Sequence, residues 1–407
     1  MKYILIVNLI IISFLSCKST KSQEDIVAKD FGFAEKQFDF ALTEIDQALS
    51  NDSTAAFKRL VSPRTIKPDG TLGMVASKDW CSGFFPGSLW YMYEYTKDKK
   101  WEVLARKFTD SIEREKINGG THDMGFKMYC SFGNGLRLTH DTRYKDILLE
   151  SAYTLITRYK PNAKIIRSWD HNTDKWQCPV IIDNMMNLEL LFWAFKESKD
   201  SIFYHIAVNH AKTTMKNHFR SDYSTYHVID YDSITGEVLK KNTHQGYAHE
   251  STWARGEAWA IYGYTMAYRE THLPEFLNQA KHVANFIFNN PNLPEDLIPY
   301  WDYNAPDIPN EPRDVSAATV TASALYELSQ YDKANRDKYK EWADKIIENL
   351  SKHYLAKQGS DRGFLLLHST GSKPMDSEVD VPLSYADYYF LEALLRKQKL
   401  EHNENLF

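Results

Sequence analysis

Two aspartates stand where a buried helix would otherwise run on unbroken. In "CPVIIDNMMNLELLFWA", Asp183 is followed by Asn184 and Asn187 within a run of Ile, Met, Leu and Phe. In "NGGTHDMGF", Asp123 follows His122 at the entrance to a second apolar run. A carboxyl group in apolar surroundings ionises reluctantly, and a second carboxylate nearby makes it more reluctant, so such a pair can keep one acid protonated for transfer near neutral pH. "HQGYAHESTWARGEAW" places Gln245, Trp253 and Arg255 just ahead of a third run, and "WCSGFFPG" places Trp80 ahead of a fourth. Indole faces stack on sugar rings and guanidinium groups bind anions, so the combination points to carbohydrate chemistry. Taken singly, each residue has a structural explanation. A lone Asp at a helix start is a cap or a first-turn acid. Arg255 can pair with Glu257 or another inner acid, and Trp80, Trp169, Trp253 and Trp259 can fill a core. Polar groups recurring at one phase of successive repeats favour a site.

The elements that must position them form a repeat. An aromatic, small-residue helix is followed by a short polar break and then by a charged amphipathic helix. The breaks read "TKDKK", "THDTR", "ESKDS", "RETHLPE" and "SQYDKANRD", and a sixth apolar helix, "YADYYFLEALL", closes the series. Helices that are apolar all round belong inside and those with a charged face outside. Six inner and about six outer helices predict an all-α fold, an (α/α)6 toroid, with an open solenoid as the alternative. Pro179 is expected in the first turn of the third inner helix, with Asp183 near its N-terminus. If the inner helices run parallel, the candidate residues converge on one end of the barrel. Residues 223–240 read as a hairpin on a long loop.

Composition narrows the classes. Of 407 residues, 43% are hydrophobic and 25% charged, which suits one large globular core. A net charge of -5 gives no long-range attraction for nucleic acid. Residues 1–17 read as a signal peptide whose apolar stretch is too short to span a bilayer, and its end, "FLSC", is lipobox-like, making Cys17 the lipidation candidate. A plain cleaved signal is the alternative. Residues 18–30 are expected to form a flexible tether and 31–400 a single catalytic domain. The protein is thus expected to be exported to the periplasm or cell surface, touching membrane only through an anchor, as a monomer or weak homodimer. Cys81, Cys130 and Cys178 lack metal-ligand spacing and read as buried thiols, and the histidines are scattered, so no metal and no cofactor is expected.

From about Asp79 to "YADYYFLEALL" the chain resembles glycoside hydrolase family 88, the unsaturated glucuronyl hydrolases, and more distantly the unsaturated rhamnogalacturonyl hydrolases. The motifs, in order, are "WCSGFFPGSLWYMYE", "HDMGF", "SWD", "IIDNMMNLELL", "STYHVIDYD", "HQGYAHESTWARGEAWAIYGY", "DVSAAT" and "SEVDVPLSYADYYFLEAL". The resemblance implies that Asp183 is the general acid and base and Asp123 the second essential carboxylate. It implies substrate contacts from Trp80, His122, Trp169, His227, Gln245, Trp253, Arg255 and Trp259, with Ser372 and Lys373 toward the leaving sugar. "AHES" departs from the family's pattern ahead of Trp253. The implied substrate is an oligosaccharide from an upstream polysaccharide lyase, of glycosaminoglycan, ulvan or similar origin, ending in 4,5-unsaturated glucuronic acid. An inverting glycosidase on saturated sugars would also use two carboxylates. A sugar-binding lipoprotein without activity would need neither.

Overall fold

The computed structural model describes residues 25–407. Twelve helices build the barrel. The outer ones are α1 (Ile26–Asn51), α3 (Lys99–Asp110), α5 (Thr142–Ile156), α7 (Ser201–Asn217), α9 (Pro274–Asn289) and α11 (Arg336–Asn349). The inner ones are α2 (Phe84–Thr96), α4, α6 (Asn184–Ser198), α8 (Ala254–Thr271), α10 (Val315–Tyr331) and α12 (Ser384–Glu401). α4 begins as π-helical turns, Gly125–Gly133, and continues as Asn134–Thr139. Each inner helix packs on the next, and α12 packs back on α2, so the ring is closed as the periodicity predicts. The expected signal peptide and the lipidation candidate Cys17 lie outside the described residues.

Four of the five polar breaks are tight inner-to-outer turns with a shared chemistry. Lys97, His140, Lys199 and His272 take the left-handed conformation at the C-termini of α2, α4, α6 and α8. After the first three, an aspartate caps the outer helix: Asp98 accepts from Lys100 N at 2.9 Å, Asp141 from Arg143 N at 3.0 Å and Asp200 from Ile202 N at 3.0 Å. Turns this short force inner and outer helices antiparallel. The long connections therefore gather at the opposite end, where the inner helices begin.

Two expectations are corrected. Residues 26–30 are not tether. Asp25 accepts from Val27 N and Ala28 N, and Val27, Phe31, Ala34 and Phe38 form a buried stripe at helical spacing, so the domain begins with α1. α1 is the sixth outer helix, packed on α12 and α2. Pro179 is not in a helix. Pro179–Ile181 is a strand antiparallel to Val228–Tyr231, which pairs in turn with Val238–Asn242 in the expected hairpin. The strand ends just before Asp183, which occupies the N-cap of α6.

The inner helices approach closely where side chains are absent. A Cβ on Gly83, at the start of α2, would lie 2.3 Å from the carbonyl oxygens of both Phe126 and Lys127. Gly83→Ala is therefore expected to destabilise the protein by about 1–3 kcal/mol, seen as a lower melting temperature. Unchanged melting would show that the approach is looser than described.

Candidate active site

Strand and helix together present Asp183 to the pocket. Its side chain makes no capping bond, so the cap explanation fails. It is only 7% exposed, and burial pushes its carboxyl up to about 7, against the pull of Arg255 and with the charge of Asp123 assisting. The two amides that follow it are structural. Asn184 Nδ2 donates to Ile166 O at 2.8 Å. Asn187 Oδ1 accepts from Phe126 N at 3.1 Å, tying α6 to the π-helical start of α4 and so to Asp123. Gly125 makes this possible, since a Cβ there would lie 2.6 Å from Asn187 Cα. π-helical turns are frequent at functional sites, and here they set the entry of the Asp123 segment.

Asp123 accepts from Thr121 Oγ1 at 2.6 Å and lies 3.2 Å from His122 Nε2. Burial holds His122 below its ordinary range, so this ring is neutral. His227 is also buried and is held well below its ordinary range. Its Nδ1 accepts from His244 N and Gln245 N, each at 3.1 Å, which assigns the proton of the neutral ring to Nε2. That nitrogen faces Asp183 Oδ2 at 3.6 Å.

A ring of contacts runs through the carboxyl. Trp80 lies 5.4 Å from Phe126, and Phe126 lies 5.1 Å from Trp259, which adjoins Asp183. His227 leads to Trp253 at 4.5 Å, and Trp253 to the Arg255 guanidinium at 4.4 Å. Arg255 lies 5.4 Å from Tyr385, and Tyr385 lies 4.9 Å from Trp80, closing the ring. Trp169 sits on the rim, 5.6 Å from His244 and stacked on His171.

Arg255 does not pair with Glu257. It donates to Asp314 Oδ2 at 2.5 Å and to the carbonyls of Thr370 and Gly371 at 2.6 Å each. Gln245 Nε2 donates to the same Gly371 carbonyl at 3.0 Å. Two residues of the implied substrate set thus hold the C-terminal loop in place. Ser372, next in that loop, is buried, and its hydroxyl has no protein partner. Lys373 turns out of the ring to pair with Glu311 over the face of Trp301. Glu257 instead accepts from Thr225 N and Thr225 Oγ1, both at 2.7 Å, two residues before His227. Asp314 and Glu311 were the partners not read from sequence. "DVSAAT" marked Asp314 as part of a motif but carried no sign of its role.

A cavity of about 550 Å³ lies at the other end of the barrel. Its charges pair among themselves, Glu94 with Arg137, Glu189 with Arg269 and Glu392 with Arg396, and it holds no acid set among indoles. Among the described residues no cluster of His, Cys, Asp and Glu is arranged to hold a metal ion, and Cys81, Cys130 and Cys178 are free thiols.

Asp183 also sets a stability slope. Its folded carboxyl is raised above the usual carboxylate range, so its burial costs nothing at low pH, where it is protonated both folded and unfolded. The penalty grows as pH rises from about 4 through about 7. Asp183→Asn should therefore melt higher than the parent above pH 7, by on the order of a few kcal/mol, and equally at pH 4. Equal melting across the range would mean that the carboxyl is not desolvated.

The model of Glycosyl Hydrolase Family 88 matches residues 56–398. The chain is 49% identical to an unsaturated glucuronyl hydrolase of Formosa agariphila over 98% of its length and 99% of that protein's. It is 34% identical to an unsaturated chondroitin disaccharide hydrolase of Streptococcus agalactiae, over 79% of the chain and 82% of the relative. Among solved structures, a crystal structure of an unsaturated glucuronyl hydrolase specific for heparin superposes with a TM-score of 0.86 at 44% identity, covering 93% of this chain and 98% of that one.

Proposed function

The chain belongs to glycosyl hydrolase family 88, and from that premise we propose that its pocket removes 4,5-unsaturated glucuronic acid from the non-reducing end of lyase-generated oligosaccharides, with Asp183 as the acid and base. The observation that carries this assignment is a carboxyl group raised to about 7 by burial, facing a neutral imidazole N–H and adjoining the indole of Trp259. An acid of that strength is matched to proton transfer near neutral pH.

The chemistry follows from the substrate. Its C4=C5 double bond is a vinyl ether through the ring oxygen. Asp183 gives its proton to C4, the π pair forms the new C–H bond, and C5 becomes an oxocarbenium centre. The carboxylate left behind accepts a proton from water as the water oxygen bonds to C5. The resulting hemiketal opens at its C5–ring oxygen bond, and the hemiacetal so exposed at C1 releases the leaving sugar as an alcohol. Asp123 supports the first step by disfavouring ionisation of Asp183, and the indoles of Trp80, Trp169, Trp253 and Trp259 supply sugar-stacking faces.

The relatives point to glycosaminoglycan products as the first substrates to try, since one is named for chondroitin disaccharide and a structural neighbour for heparin. A panel of lyase digests, followed by loss of the enol-ether ultraviolet absorbance, is expected to show consumption of an unsaturated uronyl disaccharide, while chromatography is expected to show the saturated counterpart left intact. Turnover by Asp183→Asn should fall by about 10²–10⁴-fold with binding retained. An unchanged rate in a folded variant would overturn the assignment of Asp183.

We also propose export with a lipid anchor at Cys17, supported by the short apolar stretch and "FLSC" ending of residues 1–17. Cys17→Ser should move the protein from the membrane fraction to the soluble one. Unchanged fractionation would leave a plain cleaved signal as the better reading.

A further inference from the structure

Arg64 lies outside the motifs that mark the pocket, on the strand Leu60–Ile66, which pairs antiparallel with Leu72–Ala76 ahead of α2. Its guanidinium is shared between two carboxylates. Nε and Nη2 donate to the two oxygens of Glu378 at 2.6 and 2.7 Å, a forked pair spanning 314 positions of the chain, and Nη1 donates to both oxygens of Asp79 at 3.2 and 3.0 Å. Asp79 in turn accepts from Cys81 N at 2.9 Å, capping the turn that begins at Trp80, and the guanidinium stands 5.9 Å from the Trp80 ring. The three side chains are only 12–24% exposed, so these are not the loose surface pairs that contribute little.

Glu378 ends a small hairpin that begins at the loop gripped by Arg255. Gly371 N donates to Glu378 O at 2.6 Å, Ser372 N to Ser377 O at 2.8 Å and Ser377 N to Ser372 O at 3.0 Å. Asp376 and Glu378 both take the left-handed conformation, which a residue with a side chain adopts at a cost and keeps only where its surroundings hold it. The Glu378 carboxylate lies over Gly371, where a Cβ would stand 2.7 Å from Glu378 Oε2. The Gly371 carbonyl is the one that accepts from Arg255 at 2.6 Å and from Gln245 at 3.0 Å. Arg64 therefore reaches the pocket by two routes, through Asp79 to Trp80 and through Glu378 to Gly371 and Arg255. Trp80 and Arg255 both lie against Tyr385, so the routes meet on one wall.

We propose that Arg64 is a positioning residue for substrate binding: it holds Trp80 and the hairpin Gly371–Glu378 in register, and so sets the pocket wall they share. This rests on the activity proposed above and deepens it. Arg64 acts on the wall and not on the acid. The groups that face Asp183 are His227, Arg255, Trp259 and Asp123, and without Arg64 the Arg255 guanidinium keeps its bonds to Asp314 and the Thr370 carbonyl. Loss of Arg64 then loosens the fit of the sugar and leaves proton transfer in place.

The test is a double-mutant cycle in the full-length protein on an unsaturated uronyl disaccharide, with Arg64→Met, Glu378→Gln and the two together. Each single variant is expected to raise KM on the order of tenfold, the equivalent of one lost hydrogen bond to a charged group, with kcat kept within about threefold. The double variant is expected to match Arg64→Met, because the two side chains act as one contact. The basic limb of kcat, set by Asp183, is expected to stay where the parent has it. Lower melting with both kinetic constants intact would make the contact a brace of the fold alone and overturn the inference. Additive effects on KM, a fall in kcat with KM unchanged, or a displaced basic limb would overturn it too, with the activity left standing. Should Arg64→Met fail to fold, Glu378→Gln, which keeps the shape and loses only the charge, decides by the same readouts. Consumption of no disaccharide by the parent itself would overturn both the inference and the activity.

Discussion

Arg255 bound to Asp314 is the interaction on which the site depends. A guanidinium left free beside Asp183 would hold that carboxyl ionised and disarm it as an acid. With Asp314 at 2.5 Å and two backbone carbonyls at 2.6 Å, the charge is balanced and the group becomes a fixed strut between α8 and the C-terminal loop. Its flat faces lie against Trp253 and Tyr385, so it also belongs to the aromatic wall. Breaking the pair would remove a cross-link and strand a buried charge at once, and a stranded buried charge is the costlier part.

The barrel supports this by separating its two ends. One end carries tight turns built from a left-handed residue and, in three of them, a capping aspartate, and the long connections have nowhere to go but the other. Those connections supply His122 and Asp123, Trp169, His227, Gln245, and the loop from Thr370 to Lys373. The helices supply rigidity and the close approaches at Gly83 and Gly125, which only a residue without a side chain permits. The carboxyl that needs dry surroundings is the one delivered directly by an inner helix.

The repeat was legible because its punctuation is local. A polar break such as "THD" encodes a turn and a cap within three residues, and apolar runs on either side declare which helix is inner. Asp183 and Asp123 were legible because carboxylates interrupt those runs. What sequence did not disclose was pairing at a distance. Nothing near Arg255 announces Asp314, 59 residues on, and Lys373 is turned from the pocket by Glu311, 62 residues before it. Pro179 was misplaced because a proline before an apolar run suits a helix start and a strand start equally well, and only the partner Val228–Tyr231 decides between them. α1 escaped notice as a barrel member because it has no inner helix before it in the chain.

That last helix makes the chain's two ends meet. Gln37 of α1 donates to the carbonyls of Ser360 and Phe364, residues 323 and 327 positions away, and Ser351 bonds Asp30 across 321. Contacts of such separation carry the largest loop-closure entropy in the fold. The seam between α1 and α12 therefore needs residues from both ends of the domain. The segment that seals it, residues 351–364, runs directly into the loop gripped by Arg255 and Gln245. A nascent or truncated chain could fold most of its hairpins and still lack a finished pocket, so competence for turnover reports on closure of the whole circle.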